Sequence, residues 1–146
     1  MSEPDYTAPD IALLGDEHVR RYEETHGEVG YLWNGATCLV LTTKGRKTGQ
    51  DRKFALIFAQ DGDDCVVVAS KGGAPKHPGW YLNVEANPEV TLQVADRTMK
   101  AVARTATGEE RERLWELVNR QWPNYAVYAT RTEREIPVVV LHPLSR

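Results

Sequence analysis

The sequence predicts a mostly β, α+β domain: six strands in an antiparallel, closed or half-closed barrel, with two or three helices packed on its outside. Three observations carry this prediction. β-Branched and aromatic runs outnumber helical patterns. Short turn-type connections join most of them, which suits hairpins and not the helical crossovers of a parallel doubly wound sheet. No linker or repeat divides the 146 residues, about one domain's worth, so 1–146 reads as a single domain. With 41% hydrophobic residues, a chain of this size buries roughly 68–70% of its unfolded surface, enough for a two-layer core without metal or disulfide staples.

Residues 1–9 hold two prolines and little apolar material and read as a loose arm. From Asp10, an N-cap, Leu13, Leu14, Val19 and Tyr22 recur at helical spacing, and Gly27 can end the segment in a left-handed conformation. This predicts an amphipathic helix over 11–25, within the segment 10–26. A Gly-rich aromatic stretch, 30–35, leads into a β-branched run, 36–43. In the next run Phe54, Leu56 and Phe58 alternate with Ala55, Ile57 and Ala59, the pattern of a strand covered on both faces. Asp61-Gly62-Asp63-Asp64 is a turn, and 65–70 is a third strand completing a meander.

A short helix is expected over 78–86. Val90, Leu92 and Val94, then Met99, Ala101 and Ala103, joined by an Asp96-Arg97 turn, predict a hairpin with one wet face. Thr107-Gly108-Glu109-Glu110 fits a capping box ahead of a helix carrying Leu114, Leu117 and Val118, which Pro123 ends. The last strand, 136–141, has Pro137 near its start, where a missing donor is tolerated.

Lys and Arg number 18 against 21 Asp and Glu, a formal charge of -3, which argues against a dedicated nucleic-acid binder. No apolar run approaches the ~20 residues of a spanning helix. Met1-Ser2-Glu3-Pro4-Asp5 places acids where a signal peptide carries positive charge, so a cytoplasmic location is expected. Cys38 and Cys65, separated by 26 residues, fit neither a CxxC nor a zinc pattern and read as reduced packing residues. His18, His26, His77 and His142 fit no HExxH spacing, and no metal site is expected.

Two loops carry chemistry. Five of the ten residues 44–53 are basic (Lys44, Arg46, Lys47, Arg52, Lys53) in a chain of negative net charge. One reading is a solvated hairpin turn built on Gly45 and Gly49. The other is an anion site in which glycines admit backbone N–H groups, Thr48 adds a hydroxyl and Arg46 clamps a phosphate. It is not a Walker A loop, because Lys47-Thr48 precedes Gly49. The second loop, 69–81, passes Gly72-Gly73 and enters a helix at Pro78, flanked by Lys71, Lys76 and His77. Trp80 and Tyr81 serve equally as core anchors or ligand contacts. Ser70 lacks the first glycine of a GxSxG elbow, and no SxxK accompanies Lys47-Thr48-Gly49, so motif-based hydrolase readings fail. Trp122, Tyr125 and Tyr128, spaced three apart, suit packing or the rim of a planar-ligand pocket.

Gly45-Arg46-Lys47-Thr48-Gly49, Ala69-Ser70-Lys71-Gly72-Gly73-Ala74-Pro75-Lys76-His77-Pro78 with Trp80-Tyr81 and Asn87-Pro88, and Arg134-Glu135-Ile136-Pro137 with the valines after it resemble the deazaflavin-dependent nitroreductase family. The similarity runs from about Trp33 to the C-terminus. It implies a split β-barrel, the fold of FMN-binding pyridoxamine-phosphate oxidases, and binding of coenzyme F420, an 8-hydroxy-5-deazaflavin with a phospholactyl oligoglutamate tail. By the resemblance Arg46, Lys47, Thr48 and Gly49 hold the phosphate and Lys44 and Arg52 meet tail carboxylates. Ala69, Ser70, Lys71, Gly72 and Gly73 lie along the ring system, with Trp80 and Asn83 nearby. The implied activity is hydride transfer from the reduced coenzyme to a quinone, enone or nitroaromatic. Ser70, Tyr125 or Tyr128 would relay a proton, and Tyr31 and Trp33 are further substrate-side residues. A non-catalytic F420 carrier and an FMN-dependent oxidoreductase on the same barrel are the alternatives. Nucleic acid and membrane are not expected partners, and a monomer and a homodimer are both compatible with the pattern.

Overall fold

The computed structural model describes residues 15–33, 35–70 and 76–144. In chain order the elements are α1 (Gly15–Glu24), β1 (Leu32–Trp33), β2 (Ala36–Lys44), β3 (Asp51–Ile57), β4 (Ala59–Asp61), β5 (Asp64–Val68), α2 (Gly79–Ala86), β6 (Glu89–Val94), β7 (Arg97–Thr105), α3 (Gly108–Gln121), α4 (Asn124–Ala129) and β8 (Val138–Pro143). Every strand pair is antiparallel. The sheet runs β1-β2-β6-β7-β8-β5-β4, with β3 also paired to β2. β3 follows β2 from the Cys38–Ile57 pair to the Lys44–Asp51 pair. The chain then breaks register at Phe58, whose N–H donates to the Thr37 carbonyl at 3.0 Å, and continues as β4 along β5. One bent segment thus reaches both ends of the sheet and curls it into a half-barrel. The six expected strands are the long ones, the second divided into β3 and β4, with the two-residue β1 added.

Side-chain alternation decides what lies inside. Leu39 and Leu41 of β2, Val67, Leu92 and Leu141 point into the barrel, where Trp80, Tyr81 and Val84 of α2 close the core. The intervening Val66, Val68, Val138 and Val140 face outward onto Leu114 and Val118 of α3 and the aromatic residues after it. A third cluster sets Val19 and Tyr22 of α1 on Cys38 and Val40. The fully buried Tyr22 ties this helix to β2 and to the β6–β7 turn: its hydroxyl donates to the Cys38 carbonyl at 2.9 Å and accepts the Ala95 N–H at 2.7 Å.

Several local expectations change. Residues 54–57 are only half-buried, not covered on both faces, because two cavities open against them. At the end of α1 it is His26, at φ 54, that takes the left-handed position, with Gly27 following at φ 88. The Gly27 N–H to Tyr22 carbonyl bond of 2.9 Å and the His26 N–H to Glu23 carbonyl bond of 3.4 Å form a Schellman pair. Gly27 is required for a second reason: a Cβ there would lie 2.6 Å from Ala95 Cα. The β6–β7 turn is Ala95-Asp96, one residue early, with Ala95 at φ 55. The capping box does not form. Thr107 is the N-cap of α3 without a side-chain bond, and the Glu110 carboxylate instead takes the guanidinium of Arg104. Pro123 does end α3, but beyond it the chain resumes as α4, a helix the pattern did not predict. Asp10, Leu13, Leu14 and the arm 1–9 lie outside the described residues. No helix among the described residues is long and apolar enough to cross a membrane.

Candidate functional site

The basic loop between β2 and β3 is a built structure. The Gly45 N–H donates to the Gln50 carbonyl at 2.7 Å and the Gly49 N–H to the Gly45 carbonyl at 2.8 Å. Gly49 supplies the positive φ of 74° that the turn needs; its own amide is thereby spent inside the loop. The N–H groups of Lys47 and Thr48 make no backbone hydrogen bond among the described residues, so these two can meet an anion. Asn83, buried on α2, organises the loop from below. Its Oδ1 accepts from the Arg46 N–H at 3.2 Å and from Arg46 Nη1 at 2.9 Å, and its Nδ2 donates to Thr43 Oγ1 at 3.0 Å.

This loop forms one wall of a cleft of about 620 Å³. Residues 16, 19, 20 and 23, one face of α1, form the opposite wall. Arg20, Arg46, Lys47, Arg52 and Lys53 line it against the carboxylates of Asp16, Glu23 and Asp51, leaving a net positive charge. Arg20 is shared between Glu17 and Glu24, and Lys53 is paired with Glu23, which leaves Arg46, held by Asn83, and Lys47 and Arg52 as the cleft's cations without an ion pair among the described residues. Lys44 is elsewhere: it lies 4.0 Å from Asp51 and lines a separate hollow of about 150 Å³ beside Lys100.

Further along β3 a second, apolar cavity of about 340 Å³ opens. The aromatic side chains of Trp33, Trp80, Trp122, Tyr125 and Tyr128 line it, together with His18, Cys38 and Ser70. The two cavities adjoin, since Phe54 and Gly79 border the first while Ala55, Pro78 and Trp80 border the second. Trp33 and Trp122 pack at 5.5 Å between centroids, Tyr125 and Tyr128 edge to face at 6.3 Å. The Tyr128 hydroxyl accepts from Trp122 Nε1 and Asn124 Nδ2, both at 3.5 Å. Burial raises the Tyr125 phenol far above its ordinary range and pushes the Cys38 thiol up to about 12.

The structure therefore brings Ser70, Trp80, Tyr125 and Tyr128 together around one cavity, and Arg46, Lys47, Thr48 and Arg52 around the other, with Asn83 beneath the basic loop. Ala69 is wholly buried at the end of β5, its N–H bonded to the Pro137 carbonyl at 3.0 Å. Lys71, Gly72 and Gly73 lie outside the described residues. Tyr31 packs on Phe58 in the core, 6.3 Å away, while Trp33 faces the cavity. Arg134 is a residue that sequence reasoning did not single out. Its Nη1 donates to the Ala69 carbonyl at 3.1 Å and to His77 Nδ1 at 3.1 Å, and its Nη2 to the Ser70 carbonyl at 2.6 Å. One guanidinium thus holds both ends of the loop that leaves β5. The contribution of α1 was missed as well, although the i, i+3, i+4, i+7 spacing of residues 16, 19, 20 and 23 was there to be read. No group of three metal-ligating side chains occurs among the described residues.

A family model described as F420H(2)-dependent quinone reductase matches residues 15–143. The chain belongs to this family. The F420H(2)-dependent quinone reductase Rv1261c of Mycobacterium tuberculosis is 43% identical over 128 residues, 85% of this chain and 86% of that one. A solved F420-H2 dependent reductase (FDR-A) is 43% identical, with a TM-score of 0.68 over 72% of this chain and 93% of its own. A further structure, described as a domain-swapped dimer, is 39% identical, with a TM-score of 0.71 over 85% of this chain and 96% of its own. These likenesses agree with the resemblance read from the two loops and with the split-barrel architecture.

The residues present fit the family's coenzyme. An anionic tail needs free amides and cations, which the first cavity supplies at Lys47, Thr48 and Arg52. A flat ring system needs an apolar slot rich in aromatic faces, and the second cavity is one.

Proposed function

We propose that this protein is an F420H2-dependent reductase of small electrophilic acceptors, quinones first, with enones and nitroaromatics as further members of the class. The observation that carries the reading is the continuity of a basic cleft with an aromatic pocket along a single strand. It suits a ligand that is anionic at one end and flat and apolar at the other. When bound, the reduced deazaflavin supplies a hydride to the acceptor.

The chain's own part is to bind, orient and exclude water. The Lys47 and Thr48 amides, the Thr48 hydroxyl and the Arg46 and Arg52 side chains hold the tail phosphate and its neighbouring carboxylates. Gly49 shapes the turn, and Asn83 fixes Arg46 before the ligand arrives, so less order has to be created on binding. Ser70 and Trp80 flank the ring, beside which the resemblance also assigns Lys71, Gly72 and Gly73, while the buried Ala69 supports Ser70 from within the core. Tyr125 and Tyr128 face the acceptor, their hydroxyls available as hydrogen-bond donors. Lys44 serves the far end of the tail at most, given its position outside the cleft. Holding coenzyme and acceptor in contact in a dry pocket is the main source of rate.

Fluorescence titration of the purified protein with oxidised F420, in parallel with FMN, tests the reading. The deazaflavin alone should bind, and an Arg46→Ala, Lys47→Ala double variant should lose roughly tenfold or more, about 1.4 kcal/mol per tenfold. Turnover of F420H2 with menadione separates a reductase from a carrier, which would slow coenzyme oxidation. Binding of FMN in place of F420 would overturn the assignment.

A further inference from the structure

The aromatic pocket contains an imidazole that the roles above leave unused. His18 of α1 is buried at 4% exposure and lines the same cavity as Tyr125 and Tyr128. Its Nε2 lies 2.8 Å from the Gly30 carbonyl oxygen. A carbonyl only accepts, so Nε2 carries the hydrogen, and the tautomer is fixed with Nδ1 as the nitrogen that gains or loses a proton. Gly30, at φ 99, is what lets the ring seat there: a Cβ would fall 2.8 Å from His18 Cδ2. Nδ1 sits on the opposite edge of the ring. It has no bonded partner among the described residues, and it is not among their sealed, unpartnered atoms, of which Arg111 Nε is the one instance. It is therefore reached from the cavity.

We propose that His18 is the acceptor-side catalytic residue: Nδ1–H holds the carbonyl oxygen of the substrate and gives it the proton that accompanies reduction. This rests on the reductase reading above. For a quinone the balance is quinone plus hydride plus proton to hydroquinone. The hydride comes from the reduced coenzyme, and the electron pair it brings leaves an oxyanion on the acceptor. The N–H bond at Nδ1 breaks as the O–H bond forms, and the imidazole is left neutral with Nε2–H still on Gly30. Water returns the proton as product leaves.

The surroundings support the assignment. Of the groups around the ring and along the same cavity, Tyr22 on the same helix is committed to Cys38 and Ala95. Cys38 of β2 and Tyr125 of α4 are kept protonated by burial, and Trp33 of β1 stacks at 6.3 Å. Tyr128 lies under the guanidinium of Arg131, 5.7 Å from its centroid. Among the described lining residues there is no carboxylate, lysine or arginine.

The test uses coenzyme-free protein and 2-hydroxy-1,4-naphthoquinone, an anionic, coloured stand-in for the product oxyanion. Wild-type protein should bind it about tenfold more tightly than His18→Gln, whose amide can still donate to Gly30. With F420H2 and menadione the same variant should lose about 100-fold in kcat, with F420 affinity changed less than threefold. Nitrogen NMR of unmutated protein avoids any folding defect: the His18 Nδ1 resonance should move toward its protonated position as the naphthoquinonate is added. Equal affinity in the two proteins, an unmoved resonance, or weakening by Arg46→Ala, Lys47→Ala in place of His18→Gln would overturn the proposal. Absence of wild-type turnover with every acceptor would overturn the reductase reading and the proton-delivery step with it.

Discussion

Asn83→Ala separates pre-organisation of the basic loop from its charge. Removing the amide strands three groups. Thr43 Oγ1, 1% exposed at the residue level, is left with a long 3.5 Å contact to the Arg52 carbonyl, at a cost of about 1–3 kcal/mol for a buried hydroxyl without a good partner. The Arg46 N–H and guanidinium lie at the exposed mouth, where water replaces the lost bonds, so they add little to stability. For a domain of this size each kcal/mol lowers Tm by about 2–4 °C, which predicts a fall of about 2–12 °C. Binding suffers separately. Arg46 must now be ordered by the ligand, at about 0.5–1.5 kcal/mol for a long side chain, a two- to twelvefold loss of F420 affinity by fluorescence titration. Asn83→Asp keeps the acceptor for Arg46 and adds a negative charge under the tail. Taking ~6 Å separation and an effective dielectric of ~20–80, this costs about 1–3 kcal/mol. The aspartate variant should bind worse than the alanine variant at low salt, and the gap should close as salt is added. Wild-type affinity in Asn83→Ala, or identical salt dependence in the two variants, would refute the account.

Other consequences can be checked directly. Arg134→Lys, whose single ammonium cannot span the Ala69 and Ser70 carbonyls and His77, should lower kcat about tenfold while tail affinity stays within threefold; steady-state kinetics beside an F420 titration read both. Burial pushes the Cys38 and Cys65 thiols to about 12 and about 11, so native protein at pH 8 should be inert to a disulfide reagent and release two equivalents of colour only on unfolding. The carboxyls of Asp61 and Glu110 are held below their usual range by Arg113 and Arg104. A carboxyl with a depressed folded pKa stabilises above its unfolded pKa and loses that contribution as pH falls through the folded one. Asp61→Asn should therefore lower Tm at pH 7 slightly, because the pair is surface-exposed, and flatten the decline of Tm below about pH 4, as calorimetry would show.

What could be read from the sequence was what local chemistry decides. Leu39 and Leu41, Val90 and Leu92, and residues 138–141 fall on the expected strands because alternation fixes which face is buried, although β8 starts two residues later and ends two residues later than the expected 136–141. The loop 44–53 is as basic in space as in sequence because a hairpin turn cannot hide its side chains. What escaped depends on partners distant along the chain. Glu110 leaves the capping box because Arg104, on the preceding strand, offers a charge-assisted pair in place of a backbone amide. Asn83 meets Arg46 across 37 positions and Arg134 meets Ala69 across 65. No spacing rule carries such pairings. The break at Phe58 was hidden because its apolar alternation runs unchanged through the bend.

That bend has a consequence for ligand size. The first residues of β3 border the basic cleft and the last ones the aromatic pocket, so the strand behaves as a ruler. Five steps separate Arg52 from Ile57, and at about 3.3 Å per residue the graduations span about 17 Å. A molecule engaging both ends must carry its charge about that far from its flat terminus. Shorter anionic aromatics can occupy one cavity or the other, but not both at once, and the chain thereby discriminates by length as well as by chemistry.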